Sequence, residues 1–213
     1  MENSIEKIWK EGFLKQQTIE APKINDLYNR KSIHLVDNFI RGFKLNLILI
    51  MVFATLGLIA SFFLGIPWVG LLLFIEFSLI VYLGKIELDK AKTINHGMSS
   101  YDYLKSFDNW RKDVILFFTK VYRFFYPILT ITVGIGACYS NIGKLIIAKA
   151  LEQIPDLQLV YGIPLYWLIG VLIYAAMLSL FAKQIYHFDI NLVYKHMFKR
   201  LEEMIEDMEE LKN

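Results

Sequence analysis

The sequence predicts an all-α, polytopic membrane protein, with four transmembrane helices in two hairpins plus amphipathic cytoplasmic helices. Three observations predict it. Apolar residues make up 55% of the 213 residues, and they gather in blocks almost free of charge, which a water-soluble domain of this size would not show. Lys and Arg collect on alternate connections between those blocks. The remaining segments repeat apolar residues in steps of three and four, the period of a helix face.

Residues 1–44 form the first cytoplasmic segment. Ile5, Ile8, Trp9, Gly12 and Phe13 share one helical face. A break is expected at Thr18–Pro22, after which Ile24, Leu27, Tyr28, Leu35, Phe39 and Phe43 share a second face. No secretory signal peptide is expected, because the first long apolar run starts only at Leu45. That run, 45–64, carries no charge and is long enough for a hydrocarbon core of about 30 Å at about 1.5 Å per residue. Gly65-Ile66-Pro67 is a minimal break, and Pro67 suits the first turn of the next helix, where no N–H is needed. The second span, 67–84, holds one charged residue, Glu76.

Residues 84–123 are polar and read as a cytoplasmic helical loop. Ser99-Ser100-Tyr101-Asp102 offers a capping box, and Leu104, Phe107, Val114, Phe117 and Val121 follow at helical spacing. The third span is placed at 124–142; a single longer helix reaching back to Val114 and kinked near Pro127 is the alternative. An outer connector, 143–163, carries an amphipathic piece (Leu145, Ile146, Leu151, Ile154) closed by Pro155 and suited to lie on the membrane surface. The fourth span is 164–182, and 183–213 is a charged tail. No β-hairpin, internal repeat or low-complexity stretch is expected.

Lys and Arg number 8 in the N-terminal segment, 8 in the 84–123 loop and 5 in the tail, against 2 on the outer connector. That asymmetry places both termini in the cytoplasm of a bacterial inner membrane. The lipid bilayer is the first partner. A net charge of +2 argues against direct nucleic-acid binding.

Glu76 is the sharpest single feature. Holding an ionised carboxylate mid-span costs about 2.5–3.5 kcal/mol, which the eleven Leu, Ile, Val and Phe residues of that block offset. It reads either as a proton or cation site or as a carboxyl hydrogen-bonded to a neighbouring helix, with Thr130, Thr132, Tyr139 and Tyr174 as the candidate partners. Small residues recur every fourth position at Gly57, Ser61 and Gly65, and again at Thr132, Gly136 and Ser140. Such rows serve close packing within the chain or homo-oligomerisation. In the tail, Ile190, Tyr194, Met197, Leu201, Met204, Met208 and Leu211 make a heptad seam, fit for a coiled coil or for docking on the other cytoplasmic helices. Ile5, Ile8, Trp9 and Phe13, with Leu201, Met204, Met208 and Leu211, are the candidate partner-binding residues.

No chemistry-bearing motif stands beside these. Cys138 is single, and His34, His96, His187 and His196 show no ligand spacing, so neither metal nor cofactor is expected. No nucleophile triad or P-loop is present, and Gly134-Ile135-Gly136 lacks the third glycine of a dinucleotide fingerprint.

A start with Ile8-Trp9-Lys10, a linker, a helix carrying Lys31-Ser32 and then four spans in two pairs resembles a group of bacterial inner-membrane proteins. Some of these are encoded beside extracytoplasmic-function sigma factors and are proposed as transmembrane anti-sigma factors. The chain departs from the group where Glu11 is followed by Gly12 in place of an acid and Gln, and it lacks the His/Cys cluster of the zinc-type anti-sigma factors. The resemblance implies a non-enzymatic regulatory or scaffold protein that binds a cytosolic partner, a sigma factor among the choices. The other expectation is a small oligomeric transporter or channel built around Glu76.

Overall fold

The computed structural model describes residues 3–95 and 97–210, with side chains described from Arg30 onward. In chain order the elements are α1 (Asn3–Phe63), α2 (Pro67–Lys92), α3 (Ser100–Tyr139), α4 (Asn141–Gln153), β1 (Leu159–Val160), β2 (Ile163–Pro164) and α5 (Leu165–Glu210). Among the described residues the fold is all-helical apart from one minimal hairpin. Among the described residues, four helices (α1, α2, α3 and α5) are long and apolar enough to cross a membrane.

The turn between α1 and α2 follows from three residues. Gly65 takes the left-handed conformation (φ +75°), while Gly65 N–H donates to the Phe62 carbonyl and Ile66 N–H to the Ser61 carbonyl. This crossed pair closes the end of α1, and Pro67 then opens α2. The two helices lie against each other, with Ser61 packed on Gly70 and Leu47 on Gly84.

The helices run past the bounds read from the sequence. No break occurs at Thr18–Pro22, and α1 is continuous through it. Helix α2 continues to Lys92, well past the expected end of the second span at 84, and α3 begins at Ser100. Ser99 caps α3 as its spacing predicts: its Oγ accepts from the Asp102 N–H at 3.2 Å and donates to Asp102 Oδ2 at 2.6 Å. Helix α3 then holds as one rod to Tyr139, which favours the long-helix alternative. Pro127 has no N–H for the Arg123 carbonyl, and Ser179 Oγ from α5 donates to that carbonyl instead, at 3.2 Å. The rod ends three residues before Ile142, because Ser140 turns the backbone (ψ 158°) and its Oγ caps α4 by accepting from the Gly143 N–H at 3.0 Å. The expectation of no hairpin is corrected: β1 and β2 pair across Tyr161-Gly162, both at positive φ, the geometry of a tight two-residue turn. The fourth span and the tail are a single helix, α5.

Helix α5 lies antiparallel along the whole of α3, from Trp167 Nε1 donating to the Gly134 carbonyl (2.9 Å) at one end to Tyr101 Oη donating to Glu209 (2.7 Å) at the other. The compact core sits at the second end. There Phe39 of α1 meets Phe107 of α3 and Tyr194 and Phe198 of α5 at centroid distances of 5.0–5.9 Å, over Val36, Leu104, Leu201 and Ile205. By contrast, the apolar stretches of the four long helices are mostly uncovered, with Phe53 69% and Leu180 71% exposed. A sheath of exposed apolar side chains on this scale requires an apolar surrounding.

Candidate functional site

Two polar sites lie inside the bundle. The first is Glu76 on α2. Thr132 Oγ1 of α3 donates to Glu76 Oε1 at 2.6 Å, the polar link between the two helix pairs at that depth. Glu76 Oε2 is buried and has no hydrogen-bond partner. Of the other residues expected near it, Tyr139 is committed elsewhere: its hydroxyl donates to the Tyr161 carbonyl at 2.8 Å and its ring meets Trp68 edge-on at 5.8 Å. Thr130 and Tyr174 line an open groove between α3 and α5 with Trp167. Thr132 is therefore the one predicted partner that the fold delivers. The small-residue rows divide in the same way. Gly136 faces Val69, Ser61 faces Gly70 and Ser140 caps α4, whereas nothing lies within 4 Å of where a Cβ on Gly57 would stand.

The second site is in the compact end and was not read from the sequence. Asp108 and Arg111 of α3 are both buried, with side chains 8% exposed. Arg111 Nη2 stands 2.6 Å from Asp108 Oδ1 and donates to Glu202 Oε1 of α5 at 3.1 Å; its guanidinium lies 4.6 Å from the Phe198 ring centroid. Lys112 Nζ reaches Asp108 Oδ2 at 2.6 Å. Spacings of three and four make Asp108–Arg111 and Asp108–Lys112 readable from α3 alone. Glu202 and Phe198 are 87 and more positions away, and no local pattern points to them.

Beside Arg111 is a cavity of about 220 Å³ to which all four long helices contribute. Its walls are chiefly aromatic and aliphatic. Two buried polar atoms among its lining residues, Arg111 Nε and Tyr194 Oη, have no hydrogen-bond partner. Burial pushes the Tyr194 hydroxyl up to about 12, so it stays a neutral donor at ordinary pH. The same cause, aided by Asp37, holds Tyr103 at about 12.

The partner-binding candidates of the tail are placed differently from one another. Leu201 and Met208 are buried in the chain's own core, with Met204 packed at its edge. The heptad seam thus docks on α1 and α3. Leu211, and the side chains of Ile5, Ile8, Trp9 and Phe13, lie outside the described residues. Outside the core, α4 buries none of its residues and leaves Ile142, Leu145 and Ile146 exposed along one side.

No family model, curated protein or solved structure matches this chain.

Proposed function

We propose that the chain is a multi-pass protein of the bacterial inner membrane, with both termini cytoplasmic, that acts without catalysis as a regulator or scaffold for a cytosolic protein. The spans form two hairpins, 45–64 with 67–84 and 124–139 with 165–182, and α4 lies on the outer surface. One observation carries the reading. Helix α3 has 40 residues, about 60 Å of length, roughly twice a hydrocarbon core. Its surplus half and that of α5 end in a packed helical layer with α1. A chain whose polar half folds into a rigid layer of its own, below spans with few polar groups, is built to present a surface.

Because Leu201 and Met208 already serve that layer, the partner surface falls to the N-terminal face of Ile5, Ile8, Trp9 and Phe13 and to the outer sides of the layer. A sigma factor is the partner class that the sequence resemblance suggests. Photo-crosslinking residues placed at Trp9 and Phe13 in cells should each yield the same discrete adduct with a cytosolic protein, and one placed at lipid-facing Phe53 should not. Membrane-inserted protein that gives no such adduct from either position would overturn the reading.

The unpartnered Glu76 Oε2 favours a second reading, a small oligomeric transporter or channel. It requires that Glu76→Gln abolish ion or proton flux into liposomes. A wild-type chain that passes no ion, or a strict monomer, removes it.

A further inference from the structure

Followed inward from their outer ends, the four long helices meet their first cations at nearly the same depth. These are Lys44 on α1, Lys85 on α2, Arg123 on α3, with Lys120 about one turn further in, and Lys183 on α5. Lys44, Lys85, Arg123 and Lys183 stand about 24–29 Å along their helices from Phe63, Pro67, Tyr139 and Leu165, close to one hydrocarbon thickness. Contacts between helices put them at one height. Leu47 packs on Gly84, so Lys44 and Lys85 lie within about a turn of each other. Ser179 Oγ donates to the Arg123 carbonyl, and Lys183 and Lys120 each follow about one turn further in on that antiparallel pair. The rings of Phe77 and Phe125, 5.5 Å apart, join the two helix pairs on the outer side of that height.

The chain itself supplies this belt with no counter-ion. All five side chains are exposed, and among the described residues none of them pairs with a carboxylate; the ion pairs there use Lys90, Lys92, Lys105, Arg111, Lys112 and Lys199. Asp89 feels Lys85 only as a weaker, longer-range charge beside its bond to Lys92. The outer side of the belt is apolar and uncovered, with Leu45, Ile48, Phe124 and Leu180 exposed. Tyr82, 62% exposed, stands about one turn outward of Lys85 and is of the ring type that collects at the headgroup level. A surface that is hydrocarbon on one side of a line and cationic along it matches a molecule with the same division, acyl chains below a phosphate. Free phosphate would answer the charge and leave the apolar side bare. Phosphatidylethanolamine brings its own ammonium to that depth, so a lipid of net negative charge answers the belt best.

We infer that Lys44, Lys85, Lys120, Arg123 and Lys183 form a belt that selects anionic glycerophospholipids of the inner leaflet, whose phosphodiester oxygens accept from the ammonium and guanidinium groups. Lysine stems are long enough to lie along apolar surface while the charge reaches the phosphates. The inference rests on the membrane placement and not on any cytosolic partner.

The full chain reconstituted in phosphatidylethanolamine bilayers tests it, with a trace of lipid carrying a spin label on one acyl chain. Electron paramagnetic resonance separates lipid slowed at the protein surface from lipid in the free bilayer. Spin-labelled phosphatidylglycerol should be preferred over spin-labelled phosphatidylethanolamine in the slowed fraction by roughly two- to fivefold, and the preference should shrink as salt rises to about 1 M. Combining Lys44→Gln, Lys85→Gln and Lys183→Gln should at least halve that preference. Combining Lys195→Gln, Lys199→Gln and Arg200→Gln removes the same charge from exposed positions of the cytoplasmic layer and should leave it in place. Equal slowing of the two lipids by the wild type would overturn the inference. So would equal effects of the two triple variants, which would make the preference a matter of net charge. Loss of the preference to inorganic phosphate at constant ionic strength would give the belt to a soluble anion and remove lipid as its ligand. A preparation that slows neither lipid would instead bring down the membrane reading beneath it.

Discussion

Gly136 shows how a single residue sets the distance between the helix pairs. A Cβ added there would stand 2.6 Å from Val69 Cγ1, and the branched Val side chain has little freedom to turn away. Gly136→Ala should therefore cost about 1–3 kcal/mol, read as a lower unfolding midpoint in detergent, and Val69→Ala in the same chain should recover most of it. An unchanged midpoint would mean that α2 and α3 are looser than described. Glu76, a few residues along the same contact, was the most legible polar residue in the chain, since a carboxylate among eleven large apolar neighbours stands out in one dimension. Its partner was less so: Thr130 and Thr132 are equivalent on paper, and they separate only because two residues along a helix turn a side chain by about 200°.

Helix α5 joins two environments in one rod, and its two halves should respond to different perturbations. Leu201 is 1% exposed at the centre of the core, whereas Leu192 is 75% exposed. Leu201→Ala should cost about 2–5 kcal/mol in denaturant unfolding, and Leu192→Ala should stay within about 0.5 kcal/mol. Equal effects would contradict docking of the tail on its own chain. At the far end, hydrogen bonds from Tyr101 and Lys105 hold the Glu209 carboxyl below its ordinary 4.5, and the bond to Glu209 holds Lys105 above its ordinary 10.5. The depressed carboxyl makes its contribution above pH 4.5 and loses it as pH falls through the folded value; the raised amine makes its contribution below 10.5 and loses it as pH rises through its own. The clasp is whole between these limits and opens at both extremes. In an acid titration followed by NMR, the Tyr101 ring should show a transition below pH 4.5 that Glu209→Gln eliminates. The transition persisting unchanged in that variant would exclude Glu209 as its cause.

For the whole molecule, the arrangement of charge makes the orientation testable. An impermeant amine-reactive reagent added to intact cells with a permeable outer membrane should modify Lys144 and Lys149 on α4 and spare Lys105 and Lys199. All four are exposed in the fold, so only the bilayer can protect the second pair. Labelling of Lys105 or Lys199 would invert the chain and move the helical layer, with any partner, to the other side. The uneven packing points the same way: protein covers protein tightly at the compact end and sparsely along the spans, where lipid is the expected neighbour.

What could be read in one dimension was set by interactions local along the chain. Runs such as 45–64 announce themselves because hydrophobicity sums over neighbours, Ser99 and Asp102 because a cap spans one turn, and Gly65-Ile66-Pro67 because its conformations belong to those residue types. The tertiary structure decided what depends on distant pairs. Ser179 lets α3 pass Pro127 by serving the Arg123 carbonyl, α5 turned a heptad seam inward, and four helices met to leave a cavity beside Arg111. Periodicity states that a face is apolar; only packing in three dimensions states what covers it.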